Sequence, residues 1–234
     1  MKNQKILVTG GNGRFAKILK EKNKKLNLTF VTKKDCDILN LNSIIKTVKR
    51  AKPKIIFHCA GLSRPMQVHE NNIKKSIDLN IIGTANITKV CEMFKIKLVY
   101  FSSGYVYPGI KGNYSEDHPV LPFNNYGYSK LGGECAVAMY HNSLILRITM
   151  TEKPFKYKKA YTNLISNFMY HEKLVEMLPK IIDQKGILNV GGKTQSIYNF
   201  VKEKNPKIKK SLAKKNIKFP FKQSMNLTKL KKII

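Results

Sequence analysis

The sequence predicts an α/β fold: a doubly wound parallel sheet followed by a small C-terminal lobe. Three observations predict it. Short apolar runs alternate with helical patterns through about residue 150, the order that builds parallel βαβ units. The first apolar run feeds straight into a glycine cluster that opens a helix. Later runs end in small or hydroxyl-bearing residues, at the carboxyl edge where such sheets bind ligands.

The elements follow in order. Lys5–Thr9 (KILVT) is a short apolar strand that ends in Gly10, Gly11 and Gly13. Phe15, Ala16, Ile18 and Leu19 then share one helix face. Leu28–Thr32 is a second strand, and Leu41–Ala51 a helix that Pro53 closes after Lys52. Lys54–Cys59 is a third strand, running into Ala60 and Gly61. Asn72–Lys95 carries a long helical pattern, and Lys97–Ser102 is a fourth strand. Gly127–Tyr140 reads as a helix and Ser143–Ile148 as a fifth strand. The alternation weakens after that. Residues 1–150 are therefore expected to form a nucleotide-binding domain. Residues 151–234 are expected to form a small substrate lobe, part of which returns to the core.

A chain of 234 residues with 42% hydrophobic and 25% charged residues buries a full core without disulfide or metal staples. No apolar run approaches the roughly 20 residues of a membrane helix. The net charge of +30 invites a nucleic-acid partner, but it comes from forty lysines and only four arginines. Readers of bases and phosphates lean on the arginine fork, so the charge is read as a lysine-rich surface and not as a nucleic-acid site. Cys36, Cys59, Cys91 and Cys135 lie far apart with no C-x-x-C, so no metal site is expected. The opening MKNQKILVTGG has no signal-peptide pattern, and a cytoplasmic protein is expected.

The chemistry concentrates at strand ends. In Thr9–Ala16 (TGGNGRFA), Gly10 and Gly13 let the backbone turn tightly. Asn12, Gly13, Arg14 and Phe15 then open a helix whose N-terminus suits a pyrophosphate. After the second strand come Lys33 and Lys34, not the acid that binds a ribose. Two cations there favour NADP over NAD, which stays the alternative. Asp35-Cys36-Asp37-Ile38 follows. Asp37 and Ile38 are placed to meet the adenine edge; alternatively the aspartates cap the next helix. Ala60 and Gly61 leave room for a flat ligand, and His58 reads as a packed core histidine. Tyr126 and Lys130 share one face of a helix at i and i+4. An ammonium beside a phenol is expected to lower the phenol's pKa toward neutrality, as a recharging proton donor requires. Ser103, at the end of the fourth strand, is placed to bind the oxygen that Tyr126 protonates. Gly104 and Tyr105 are placed beside the substrate.

With TGGNGRFA, HCAG, Asn80 in LNIIGT, and Ser103 with YGYSK in this order, the chain resembles the extended short-chain dehydrogenase/reductases. Within them it is most similar to the dTDP-4-dehydrorhamnose reductases. Residues 111–134 and the C-terminal KQSMNLTKLKKI carry that narrower likeness. The resemblance implies a Rossmann fold and NAD(P)H held at the Gly10–Ala16 loop. It implies a catalytic triad of Ser103, Tyr126 and Lys130, with Asn80 supporting it or binding the cofactor and Lys130 on the nicotinamide ribose. It implies reduction of a 4-keto, nucleotide-linked deoxysugar and, often, a homodimer. Gly104 stands where these reductases carry an aspartate, and the chain is tens of residues short after Arg147. No Gly-x-Pro-Thr-type segment follows Ile148. Two alternatives therefore stay open: a nucleotide-sugar epimerase, and a regulatory subunit that binds NADP without turnover.

Overall fold

A computed structural model describes residues 4–214 and 220–234. Residues 1–3 and 215–219 belong to the two sequence-predicted domains, and 215–219 to the basic C-terminal stretch as well. They lie outside the described residues.

The first half alternates as expected. It runs β1 (Lys5–Thr9), α1 (Arg14–Lys22), β2 (Asn27–Phe30), α2 (Leu41–Ala51), β3 (Ile55–His58), α3 (Gln67–Asn71) and α4 (Ile73–Ile77). One π-helical turn (Asp78–Ile82) leads into α5 (Gly83–Met93), then β4 (Lys97–Phe101) and a 3₁₀ turn (Gly104–Val106). Next come α6 (Asn125–Ala138) and β5 (Ser143–Ile148). Among the described residues the remainder is short strands around three helices: β6 (Met150–Thr151), β7 (Lys159–Tyr161), β8 (Ile165–Ser166), β9 (Met169–Tyr170) and α7 (His171–Ile181). Then follow β10 (Gly186–Val190), β11 (Gln195–Ser196), α8 (Ile197–Lys202), β12 (Lys209–Ser211) and α9 (Thr228–Lys231).

Six strands form the central sheet in the order β10-β5-β4-β3-β1-β2, every neighbour parallel. Strands β3 and β5 are buried along their whole length, as a sheet covered on both faces requires. On one face Phe15 and Leu19 of α1 meet Leu174, Leu178 and Ile181 of α7 over Val8, Phe57 and Leu146. On the other, Ile44 and Val48 of α2, Ile87 and Val90 of α5 and Val137 of α6 cover Leu7, Ile56 and Leu98. Strand order reverses between β1 and β3, which opens the crevice where such sheets take ligands.

The segment beyond residue 150 divides its loyalties. Strand β10 pairs with β5 in the central sheet, and α7 packs on α1. Strands β7, β8, β11 and β12 and helix α8 enclose a separate cluster of Leu164, Ile197, Tyr198, Phe200, Val201 and Ile208. Met225 carries the C-terminal segment back onto Val106, Tyr107 and Tyr114.

Two local expectations are corrected. Neither aspartate after β2 caps α2: Asp35 accepts from Thr32 N (2.9 Å) and Asp37 from Leu39 N (3.0 Å). Asn40 caps α2 instead, accepting from Ser43 N (3.1 Å). The long helical pattern predicted from Asn72 is divided: Asn72 caps the short α4, and the π-helical turn that contains Asn80 separates α4 from α5.

Candidate active site

Gly10 ends β1 at a φ of +68°. A Cβ there would stand 2.7 Å from Ala60 Cα, so only glycine lets the ends of β1 and β3 meet this closely. Gly13 N donates back to Gly10 O (2.8 Å), closing the turn from which α1 starts. Beside this turn opens a cavity of about 390 Å³. Its lining includes Asn12, Gly13, Arg14 and Phe15 from the turn, Ala60 and Gly61 after β3, Ser103 and Tyr105 after β4, and Tyr126 and Lys130 from α6. Ten of the sequence-predicted positions thus converge on one space.

Helix α6 presents Tyr126 and Lys130 because Asn124 caps its start, accepting from Gly127 N (2.9 Å). Gly127 brings the helix against the Ser103 loop, since a Cβ there would meet Tyr105 O at 2.5 Å. Tyr126 is wedged between the Tyr105 ring (5.4 Å between centroids) and the His69 ring (5.0 Å). Burial pushes its phenol above the usual value, while the Ser103 hydroxyl, Arg64 and Arg14 pull it back. Burial outweighs the groups that pull the phenol down, which corrects the expectation of a pKa lowered toward neutrality. The charges that pull it down include Arg14, which opens α1, and Arg64, on the loop after β3. Lys130 Nζ lies 4.2 Å from the centroid of the Tyr100 ring. Burial lowers its ammonium to about 8, against Glu134 and Cys59, which raise it.

The remaining predicted residues stand outside that lining. Gly10 makes the turn, and Lys33 is exposed just past β2. Asp37 closes its own turn, while Ile38 is buried against Gly83 at the start of α5. Asn80 is buried and acts on the backbone. It accepts from Leu62 N (2.6 Å) and donates to Leu62 O (2.8 Å) and Ser129 Oγ (2.8 Å), tying the loop after β3 to α6. Gly104 packs toward Thr149, Met225 and Gln223. His58 is a satisfied core residue. Thr84 donates to Asn80 O (2.8 Å), which assigns His58 Nε2 as donor to Thr84 and Nδ1 as acceptor from Thr9 (2.9 Å). Burial holds it neutral, with a pKa of about 3.

Sequence reasoning missed four groups. Arg64 and Ser63 line the cavity from the loop after β3, Thr149 to Glu152 from the segment after β5, and His171 from α7. Arg14 reaches across to Glu152 Oε1 (2.5 Å) and donates to Ser63 Oγ (2.9 Å). The available signal for most of these was position, because the loops after β3 and β5 also leave the carboxyl edge of the sheet. The fourth is the buried Glu134–Arg147 pair behind Lys130. Among the described residues no His/Cys/Asp/Glu cluster could hold a metal, and no helix is long and apolar enough to cross a membrane.

Comparison with known proteins places this geometry. The family profile of the RmlD substrate-binding domain matches residues 4–187. The chain is similar to a dTDP-4-keto-6-deoxy-D-glucose reductase of Streptomyces niveus, 30% identical over 183 residues, 77% of this chain and 62% of that protein. It is also similar to methionine adenosyltransferase 2 subunit beta of Pongo abelii, 30% identical over 144 residues, 58% of this chain. It spans only 43% of the length of that relative. Among solved structures it superposes on a dTDP-4-dehydrorhamnose reductase from Bacillus anthracis in complex with NADP. The TM-score is 0.86 at 25% identity, covering 99% of this chain and 92% of that one. With the parallel sheet, the glycine turn and the match over residues 4–187 in agreement, the chain belongs to the RmlD substrate-binding domain family.

Proposed function

We propose that the protein is an NADPH-dependent reductase of a 4-keto, nucleotide-linked deoxysugar, with NADH the alternative cofactor. The observation that carries this reading is the shared cavity: the Gly13–Phe15 turn at one part, and Ser103, Tyr126 and Lys130 at another. The residues suit the dinucleotide. A glycine turn leaves the backbone bare, α1 points its N-terminus at the space, and Arg14 and Arg64 supply positive charge. The B. anthracis relative was solved with NADP, and Lys33 and Lys34 suit a ribose 2′-phosphate. Bound there, the nicotinamide would supply hydride to the sugar carbonyl.

The protein's own part is proton transfer and orientation. Tyr126, kept protonated by burial, donates its phenolic proton to the carbonyl oxygen as negative charge develops there. Ser103 donates a hydrogen bond to the same oxygen. Lys130 stabilises the phenolate left behind and holds the ribose hydroxyls. Tyr105, stacked edge-on against Tyr126, excludes water beside the phenol. The lysine-rich surface draws anionic nucleotide sugars toward the site. The test is loss of NADPH absorbance with dTDP-4-keto-6-deoxyglucose or dTDP-4-dehydrorhamnose. Turnover abolished by Tyr126→Phe supports the reading, and no turnover beside an active control reductase overturns it.

A second reading has its own support. The similarity to methionine adenosyltransferase 2 subunit beta favours the alternative of a regulatory subunit, one that would bind NADP without turnover. A biological activity that depends on this protein and survives Tyr126→Phe undiminished would select it. Tightly bound NAD retained through purification would instead favour an epimerase on the same scaffold.

A further inference from the structure

Behind Lys130 lies a charged network that the proposed reaction leaves without a role. Glu134 follows Lys130 by one helical turn and is 3% exposed. Its Oε2 accepts from Ser102 Oγ (2.7 Å), and its Oε1 accepts from Arg147 Nε (3.0 Å) and Nη2. Arg147, in β5, is also 3% exposed. It donates further to Tyr107 Oη (2.8 Å) and to Glu116 O (3.0 Å), and Tyr107 donates to Asn189 Oδ1 in β10 (2.9 Å). Removing two charges from water costs several kcal/mol per ion, so a pair this deep is weak evidence of a gain in stability. It asks for another explanation, and its position supplies one. Ser102 precedes Ser103, and Tyr100, whose ring faces Lys130 Nζ, donates to Lys130 O (3.2 Å).

We infer that Glu134 is a positioning residue for the proposed reductase. It holds Lys130 as an ammonium and, through Ser102, ties helix α6 to the strand end that carries Ser103. The inference rests on the reductase reading for its role in turnover, but not for the link between the two side chains.

Lys130 needs such a partner. It is buried, and the titratable groups facing it are Cys59 after β3, Tyr100 in β4, His58 in β3, His69 in α3 and Tyr126 on its own helix. None of these carries negative charge near neutral pH, since burial raises the Cys59 thiol and the Tyr100 and Tyr126 phenols. Glu134 is the charge that opposes desolvation of the ammonium. Arg147, which pins Glu134, is the opposite charge one step further away.

The test is trace acylation of Lys130 across a pH series, read by mass spectrometry on the full chain, so that it needs no turnover. In Glu134→Gln the labelling midpoint falls by about one pH unit, and in Arg147→Met it rises. Opposite movements cannot come from general loosening of the fold. If Glu134→Gln alone does not fold, the double variant Glu134→Gln/Arg147→Met, which leaves no unpaired charge, is compared with Arg147→Met. Its midpoint lies about one pH unit lower. An unmoved midpoint, or both single variants moving in the same direction, overturns the inference. In turnover, Glu134→Gln lowers kcat with little change in sugar KM and moves the alkaline limb to lower pH by the same amount. If the wild-type chain turns over no keto sugar while the midpoints move as stated, the reductase reading fails and the Glu134–Lys130 link stands.

Discussion

Arg14 Nη1 and Glu152 Oε1 stand 2.5 Å apart, joining the glycine turn after β1 to the segment after β5 across the cavity. They are 138 positions apart in sequence. Glu152 Oε2 also forms an ion pair with Lys156 Nζ (3.0 Å), so the carboxylate is shared between two cations. Burial works to raise that carboxyl, but Lys156 and Arg14 hold it below the usual range.

This pair competes with any phosphate that Arg14 would bind. Glu152→Gln frees the guanidinium and tightens NADPH binding by about fivefold, the worth of a partly exposed ion pair of about 1 kcal/mol. Titration of NADPH fluorescence checks it, and the gain shrinks at high salt.

Tyr126→Phe removes the proposed proton donor without removing the ring that packs on His69 and Tyr105. We expect kcat to fall by about 10²–10⁴-fold with NADPH affinity nearly unchanged. Steady-state kinetics beside a binding titration separates the two.

In the proposed reaction Lys130 acts only as an ammonium, and burial lowers its pKa to about 8. Reduction should therefore hold from neutral pH up to about 8 and decline above it, as the ammonium loses its proton. A kcat/KM profile measured across that range shows this alkaline limb, and Lys130→Met removes it together with most of the activity.

Arg147→Met leaves the Glu134 carboxylate buried and unpaired. We expect a loss of about 3–5 kcal/mol of stability, read as a lower urea midpoint, with much of it restored when Glu134→Gln is added.

Asn80→Ala leaves Leu62 N and O without their side-chain partner and frees the loop after β3. A loss of about 1–3 kcal/mol in urea unfolding is expected, with weaker NADPH binding because Ala60 and Gly61 sit on that loop.

Much of the fold and part of the site could be read along the chain, because those features are local. A strand, a glycine turn and a helix occupy consecutive residues at Lys5–Lys22, so their pattern alone specifies them. Tyr126 and Lys130 share a face because a helix repeats every 3.6 residues. Even the correction at α2 is a matter of local chemistry, with Asn40 nearer the helix start than either aspartate.

By itself the sequence determined the parallel sheet, the turn that opens the cavity and the helix that carries Tyr126 and Lys130. Only the tertiary structure decided what surrounds them. Arg14 meets Glu152, and Glu134 meets Arg147, because α1, α6 and β5 lean on one sheet. The direction in which the Tyr126 phenol is shifted depends on how deeply it is buried and on which distant cations reach it. Burial and charge proximity sum over residues far apart in the chain, and no periodicity or motif records that sum.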